Sequence, residues 1–233
     1  MKFDAILFDL DGTLLPMDYD EFTAGYFGLL ARAVAPLGYT KDSLISAMWK
    51  GVAAMMKNDG TTSNYNRFWQ VFASMIGEHV YDDISKFDDF YRNDFHKAKA
   101  FTQPTSSAAK AVKLASEYAD KVVLATNPLF PRVAVEARLE WTGISPDSFE
   151  LITDYENSSF CKPNPAYFFE ISEKLGVDPK KCLMVGNNAD EDIAAAQAAG
   201  LSTFLITDCL IANGEIPSTP KGSFEDLFEY LSK

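Results

Sequence analysis

The sequence is poor in cysteine, in histidine and in positive charge. Its three cysteines, Cys161, Cys182 and Cys209, are odd in number and lack metal-ligand spacing. That excludes a disulfide framework, and reduced thiols in a cytoplasmic protein are the simplest reading. The two histidines, His79 and His96, stand alone and take no role. Lysine and arginine total 21 against 33 acids, a formal net charge of −12. A surface of that sign disfavours nucleic-acid backbones and anionic membranes as partners. It also repels an anionic substrate at long range, so any phosphate site must be made locally positive by a metal, a lysine and backbone N–H groups. No run approaches the roughly 20 apolar residues of a membrane span. The apolar start MKFDAILFDL is interrupted by Asp4 and Asp9, and no small-residue cleavage site follows, so it reads as a buried strand and not as a leader.

What the chain does have is hydrophobic residues, 47% of the total, enough to build a core. Five short runs are almost continuously apolar: residues 5–10 (AILFDL), 122–126 (VVLAT), 150–153 (ELIT), 182–185 (CLMV) and 203–206 (TFLI). This is the pattern of strands buried on both faces of a parallel sheet. Helical patterns fill the later gaps, over 106–118, 129–139, 165–175 and 190–199, the last stopping at Gly200. The alternation predicts a doubly wound α/β sheet. Between the first two strands the rhythm breaks. Residues 17–99 carry only helical periodicity, divided at Pro36-Leu37-Gly38 and Asn58-Asp59-Gly60. They predict a helical domain inserted between two segments of the α/β core, 1–16 and 100–233.

Ligands of open α/β sheets bind at the carboxyl ends of the strands, so the residues that follow each strand are the informative ones. The first strand ends in Asp9-Leu10-Asp11-Gly12-Thr13. Two carboxylates at the end of an apolar strand are costly unless compensated. They read either as a metal-bound nucleophile with a second acid or as turn residues. Thr126 and Asn127 end the second strand and can donate to a phosphoryl oxygen or cap the helix after Pro128. Lys162, in CKPNP, can neutralise a phosphoryl oxygen or a carboxylate, or lie on the surface. The run VGNNADEDI (185–193) places acids at a helix start, where they serve the helix dipole or form a second set of metal ligands.

Taken together, FDLDGTLL, a strand ending in Thr126, KPNPAYF and VGNNADEDIAAAQAAG resemble the four motifs of the haloacid dehalogenase superfamily. The resemblance covers residues 1–16 and 100–210. It implies a Rossmann-like sheet with chain-order strands 3-2-1-4-5, and the insert resembles that family's helical cap. Position by position, it implies that Asp9 is the nucleophile and a metal ligand. Asp11 matches the general acid/base, with its carbonyl on the metal. Thr126, Asn127, Gly12 and Lys162 match the groups that bind the phosphoryl oxygens, Lys162 also neutralising charge. Asn188 (or Asn187, with the gap placed differently) stands where the family carries a metal-ligating aspartate, and Asp192 matches the second acid of that motif and is expected, with Asn188, among the metal ligands. Members that break carbon–halogen bonds lack an aspartate at the position of Asp11, so the resemblance implies a phosphate ester as substrate. The expected activity is magnesium-dependent hydrolysis of the phosphate monoester of a small metabolite through an aspartyl-phosphate on Asp9. A phosphomutase, a phosphonate hydrolase, or a binder of phosphorylated ligands without turnover are the other readings on this scaffold. The cap would exclude water and read the leaving group. Its Tyr19, Tyr26, Met55, Tyr65, Phe68 and Trp69 fall at helical spacing and are expected mainly in the cap's own core.

Overall fold

Alternation along the first strand already dictates two covered faces. In β1 (Phe3–Phe8), Ala5 and Leu7 point to one side, and Ile6 and Phe8 to the other. All four are fully buried or nearly so. The computed structural model of the protein describes residues 2–233 and places β1 at the centre of a six-stranded sheet. Its other strands are β2 (Ala119–Leu124), β3 (Leu151–Ile152), β4 (Cys182–Gly186), β5 (Ser202–Ile206) and β6 (Lys221–Gly222). Every pairing is parallel, and the order is β3-β2-β1-β4-β5-β6. The order reverses at β1, whose two neighbours are β2 and β4, and the crevice between their carboxyl ends is therefore where a ligand site forms.

Helices α7 (Ala166–Leu175) and α8 (Ala195–Ala198) cover the Ala5–Leu7 face through Tyr167, Phe168, Ile171 and Ala196. The other face is covered by α5 (Ser106–Tyr118), α6 (Arg132–Thr142) and α9 (Phe224–Leu231). The last of these opens with a capping box, in which Ser223 accepts from the Asp226 N–H and Asp226 accepts in return from that of Ser223.

The insert contains α1 (Tyr19–Val34), α2 (Lys41–Met56), α3 (Asn64–Ile76) and α4 (Val80–Arg92), followed by a 3₁₀ stretch over Asp94–Phe101. Asp18, Thr40 and Ser63 each cap a helix with a side-chain oxygen. Its two connections to the core run side by side: Met17 and Thr102 form an antiparallel bridge, and the Gln103 N–H donates to the Pro16 carbonyl at 2.8 Å. Tyr26, Met55, Phe68 and Trp69 are buried inside the insert, whereas Tyr65 is half-buried and Tyr19 is exposed. The hydrophobic cluster does not stop at the insert's edge. It runs on through Phe130, Trp141 and Tyr155 of the α/β core. At one edge the Asn64 and Tyr65 N–H groups donate to the carbonyls of Ser158 and Tyr155, at 2.8 and 2.7 Å.

Two details differ from the sequence reading. The helix expected over 190–199 begins as a π-helical turn, Ala189–Ala194, and becomes α-helical only at Ala195. The Ile193 N–H reaches the Asn188 carbonyl five residues back. The sheet also has the sixth strand, β6, whose two residues, Lys221 and Gly222, carry no apolar signal.

Candidate active site

The chain leaves the sheet after Phe8, although the Asp9 N–H still bonds the Val185 carbonyl at 2.9 Å. Asp9 is thereby fixed at the carboxyl end of the central strand, almost fully buried. Gly12 then turns the chain with φ of +86°, a conformation that favours glycine. A Cβ there would sit 2.3 Å from Asn187 Nδ2, so the absence of a side chain also lets Asn187 approach.

Lys162 is 1% exposed, and its Nζ lies 2.9 Å from Asp9 Oδ1 and 2.6 Å from Asp192 Oδ1. Burial alone would push the lysine's pKa down. The two carboxylates more than offset it, and the net shift is upward, which keeps the ammonium charged. Burial pushes the Asp192 carboxyl up, Lys162 pulls it back, and Asp9 adds to the rise. The other oxygen of Asp192 accepts from the Asn188 N–H at 3.0 Å. The Thr13 hydroxyl lies 3.1 Å from Asp9 Oδ2 and 3.0 Å from Asn187 Oδ1, and its single proton serves one of them at a time.

Asp11 faces the same crevice but is held from behind. Its Oδ2 accepts from the guanidinium of Arg138 on α6, and its Oδ1 is buried without a partner. Arg138 is entirely closed to solvent and stacks 4.2 Å from the centre of the Phe130 ring. Burial raises the Asp11 carboxyl above the usual range, Arg138 opposes it, and Asp9 adds to it. Thr126 and Asn127 line the cavity with Asp9. The Thr126 carbonyl accepts from the Tyr167 and Thr153 hydroxyls at 2.8 Å each. Asn127 Nδ2 donates to Glu191 Oε2 at 2.9 Å, and its Oδ1 is buried and unpartnered.

The expected residues Asp9, Asp11, Thr126, Asn127 and Asp192 thus line one crevice, with Gly12 at its edge, and Lys162 lies behind it, bonded to Asp9 and Asp192. Two expected metal ligands make other contacts here. Asn188 does not turn to Asp9: its Oδ1 accepts the Asp190 and Glu191 N–H groups at 3.0 and 3.1 Å, capping the π-helical turn. Asn187 is the residue that shares Thr13 with Asp9. The two oxygens of Asp192 serve Lys162 and the Asn188 N–H. Sequence reasoning gave no role to Arg138, Glu191 or the Thr13 hydroxyl. Arg138 did leave a trace, as a lone charge on the apolar stripe of Ala134, Val135, Leu139 and Trp141.

Among the described residues, no cluster of three or more His, Cys, Asp or Glu is placed to hold a metal. The oxygen donors nevertheless fit a magnesium ion, which accepts hard neutral oxygens beside a single carboxylate. Asp9 Oδ2 and Asn187 Oδ1 both approach the Thr13 hydroxyl, so they converge on one region, and the Asp11 carbonyl belongs to the same turn.

Known proteins place the chain in a family. The chain matches the haloacid dehalogenase-like hydrolase family over residues 3–200. It is 28% identical to a glyceraldehyde 3-phosphate phosphatase of Methanopyrus kandleri, over 87% of this chain and 83% of that protein. It is 25% identical to a phosphoglycolate phosphatase of Neisseria gonorrhoeae, over 97% and 92%. A haloacid dehalogenase-type hydrolase of Bacillus subtilis, solved bound to magnesium, shares the fold at a TM-score of 0.60 and 19% identity, covering 100% of both chains. With its motifs, sheet order and family match in agreement, the chain belongs to the haloacid dehalogenase-like hydrolases.

Proposed function

We propose that the protein is a magnesium-dependent phosphatase that hydrolyses the phosphate monoester of a small metabolite through an aspartyl-phosphate on Asp9. One observation carries this reading: the Asp9 carboxylate is held between the Lys162 ammonium and the Thr13 hydroxyl, in a crevice that also exposes Asp11. Those contacts orient the Asp9 carboxylate, as a nucleophile requires.

The steps follow from the residues. An oxygen of Asp9 attacks phosphorus in line, and the bond from phosphorus to the alcohol oxygen breaks. Asp11, protonated, gives its proton to the departing oxygen. Arg138 holds the Asp11 carboxyl in place through Oδ2. Water then attacks the aspartyl-phosphate, Asp11 takes its proton back from that water, and phosphate leaves with Asp9 restored. Lys162, the Thr126 hydroxyl and backbone N–H groups near Gly12 neutralise the phosphoryl oxygens. Magnesium, when bound by Asp9, Asn187 and the Asp11 carbonyl, supplies positive charge against the phosphoryl group. Glu191 holds Asn127 in place through the 2.9 Å bond.

Phosphate release from phosphorylated metabolites, with magnesium and with a chelator, tests the reading. The wild type should release phosphate only with the metal, and Asp9→Asn should release none while keeping its circular-dichroism spectrum. Near wild-type release by Asp9→Asn would refute the covalent route.

A further inference from the structure

The crevice does not end at Asp11. Asp11 and Tyr19 also belong to a second hollow that rises between the insert and the loop after β2. Its walls are made mainly of Phe22, Phe27, Trp49, Val52, Leu129 and Phe130. It lies on the Asp11 side, where the departing alcohol of a phosphate ester must be for Asp11 to protonate it. Two further observations bear on what it takes. First, among the described residues no lysine or arginine lines it. The nearby guanidinium, Arg138, is buried behind the Phe130 ring and paired with Asp11. Its polar groups are few: the Tyr26 hydroxyl is already bonded to that of Tyr91 at 2.7 Å, leaving Thr23 and Tyr19 near the mouth. A second negative charge on the substrate would find no cation here and would face Glu191 in the adjoining crevice. Second, Trp49 and Tyr19 leave 44% and 52% of their surface exposed at this place. Large aromatics at the rim of a pocket are surface that an apolar ligand can cover.

From these walls we infer that the leaving group is an uncharged alcohol with an apolar alkyl or aryl body, and that carboxylate-bearing esters such as phosphoglycolate are disfavoured. The inference rests on the phosphatase reading for the position of the alcohol, and on the cavity walls for its chemistry. Selectivity then comes from two opposed effects. Apolar area removed from water favours longer chains, and a negative charge left without a cation penalises acids.

Two measurements keep the two readings apart. The first is equilibrium binding of ethyl phosphate, hexyl phosphate and phosphoglycolate to the Asp9→Asn variant in MgCl₂, by titration calorimetry, which needs no turnover. Hexyl phosphate should bind at least about tenfold more tightly than either of the others, since each buried methylene is worth roughly a fourfold gain. The second is kcat/KM of the wild type along the series from ethyl to hexyl phosphate, which should climb in the same way until the hollow is full. Preferential binding of hexyl phosphate without phosphate release by the wild type would sink the phosphatase reading and leave the selectivity standing. Equal or tighter binding of phosphoglycolate, or no gain with chain length, would overturn the selectivity. Val52→Arg places a cation in the wall and should turn the preference toward phosphoglycolate. An unchanged preference in that variant, with its circular-dichroism spectrum intact, would show that the leaving group lies elsewhere and would overturn the inference as well.

Discussion

The guanidinium of Arg138, wholly closed to solvent, donates to Oδ2 of Asp11 across the boundary between α6 and the first motif. Removing one member of a buried ion pair leaves the other charge without compensation, at a cost of about 3–5 kcal/mol. Arg138→Met should therefore lower the stability of the protein by that order in chemical denaturation. The double variant Arg138→Met with Asp11→Asn should recover part of the loss, because it removes the stranded carboxylate. Strict additivity of the two single effects would show that the residues are not coupled.

Asp11→Asn should damage turnover according to the leaving group. An alkyl phosphate needs a proton on its departing oxygen and should lose ~10²–10⁴-fold, the usual range of acid–base catalysis. An aryl phosphate with an acidic phenol should lose far less. The same loss for both substrates would mean that Asp11 only shapes the site.

The corrected place of Asn187 gives a prediction about the metal that needs no turnover. Asn187→Asp adds a unit charge beside Asp9 Oδ2, worth a few kcal/mol at contact in a medium of effective dielectric ~20 before the new carboxylate's desolvation is subtracted. Magnesium binding, measured by titration calorimetry, should tighten roughly tenfold or more. Asn188→Asp should leave it nearly unchanged, and Asn188→Ala should instead cost about 1 kcal/mol of stability by removing a helix cap. The opposite ranking of the two aspartate variants would restore Asn188 as the metal-side residue.

Lys162→Met should make stability depend on pH. Burial already raises the Asp192 carboxyl, and Lys162 is the group that opposes this. Without the lysine, the folded state prefers Asp192 protonated even more strongly. A group whose folded pKa is raised contributes stability that is complete below its unfolded value and is lost as pH rises through the folded value. The variant should therefore resist urea better at pH 5 than at pH 8, relative to the wild type at each pH. A constant difference across that range would mean that Asp192 is not held up by burial.

Much of this molecule was legible before any coordinate. Continuous apolar runs announced strands covered on both sides, and the resemblance of four motifs carried the strand order and the gathering of Asp9, Asp11, Thr126, Lys162 and Asp192. Within the site, what the sequence leaves open has one cause, which is that side-chain direction is not written in spacing. Asn187 and Asn188 are adjacent and chemically identical, and only the π-helical turn decides that one faces Thr13 while the other caps a helix. Arg138 sits 127 positions from Asp11, so nothing local marks it as a partner. Strand β6 went unseen because its two residues pair by backbone alone.

The contacts of Lys162 also bear on how the chain reaches its native state. Its two carboxylate partners lie 153 and 30 positions away along the sequence. An ammonium group cannot enter the interior alone, and neither can the acids that surround it. Bringing segments so distant together carries a loop-closure cost that local helices do not bear. The reactive centre is consequently a product of long-range assembly: helices formed locally, with β1 and β4 still apart, contain no part of it that can work.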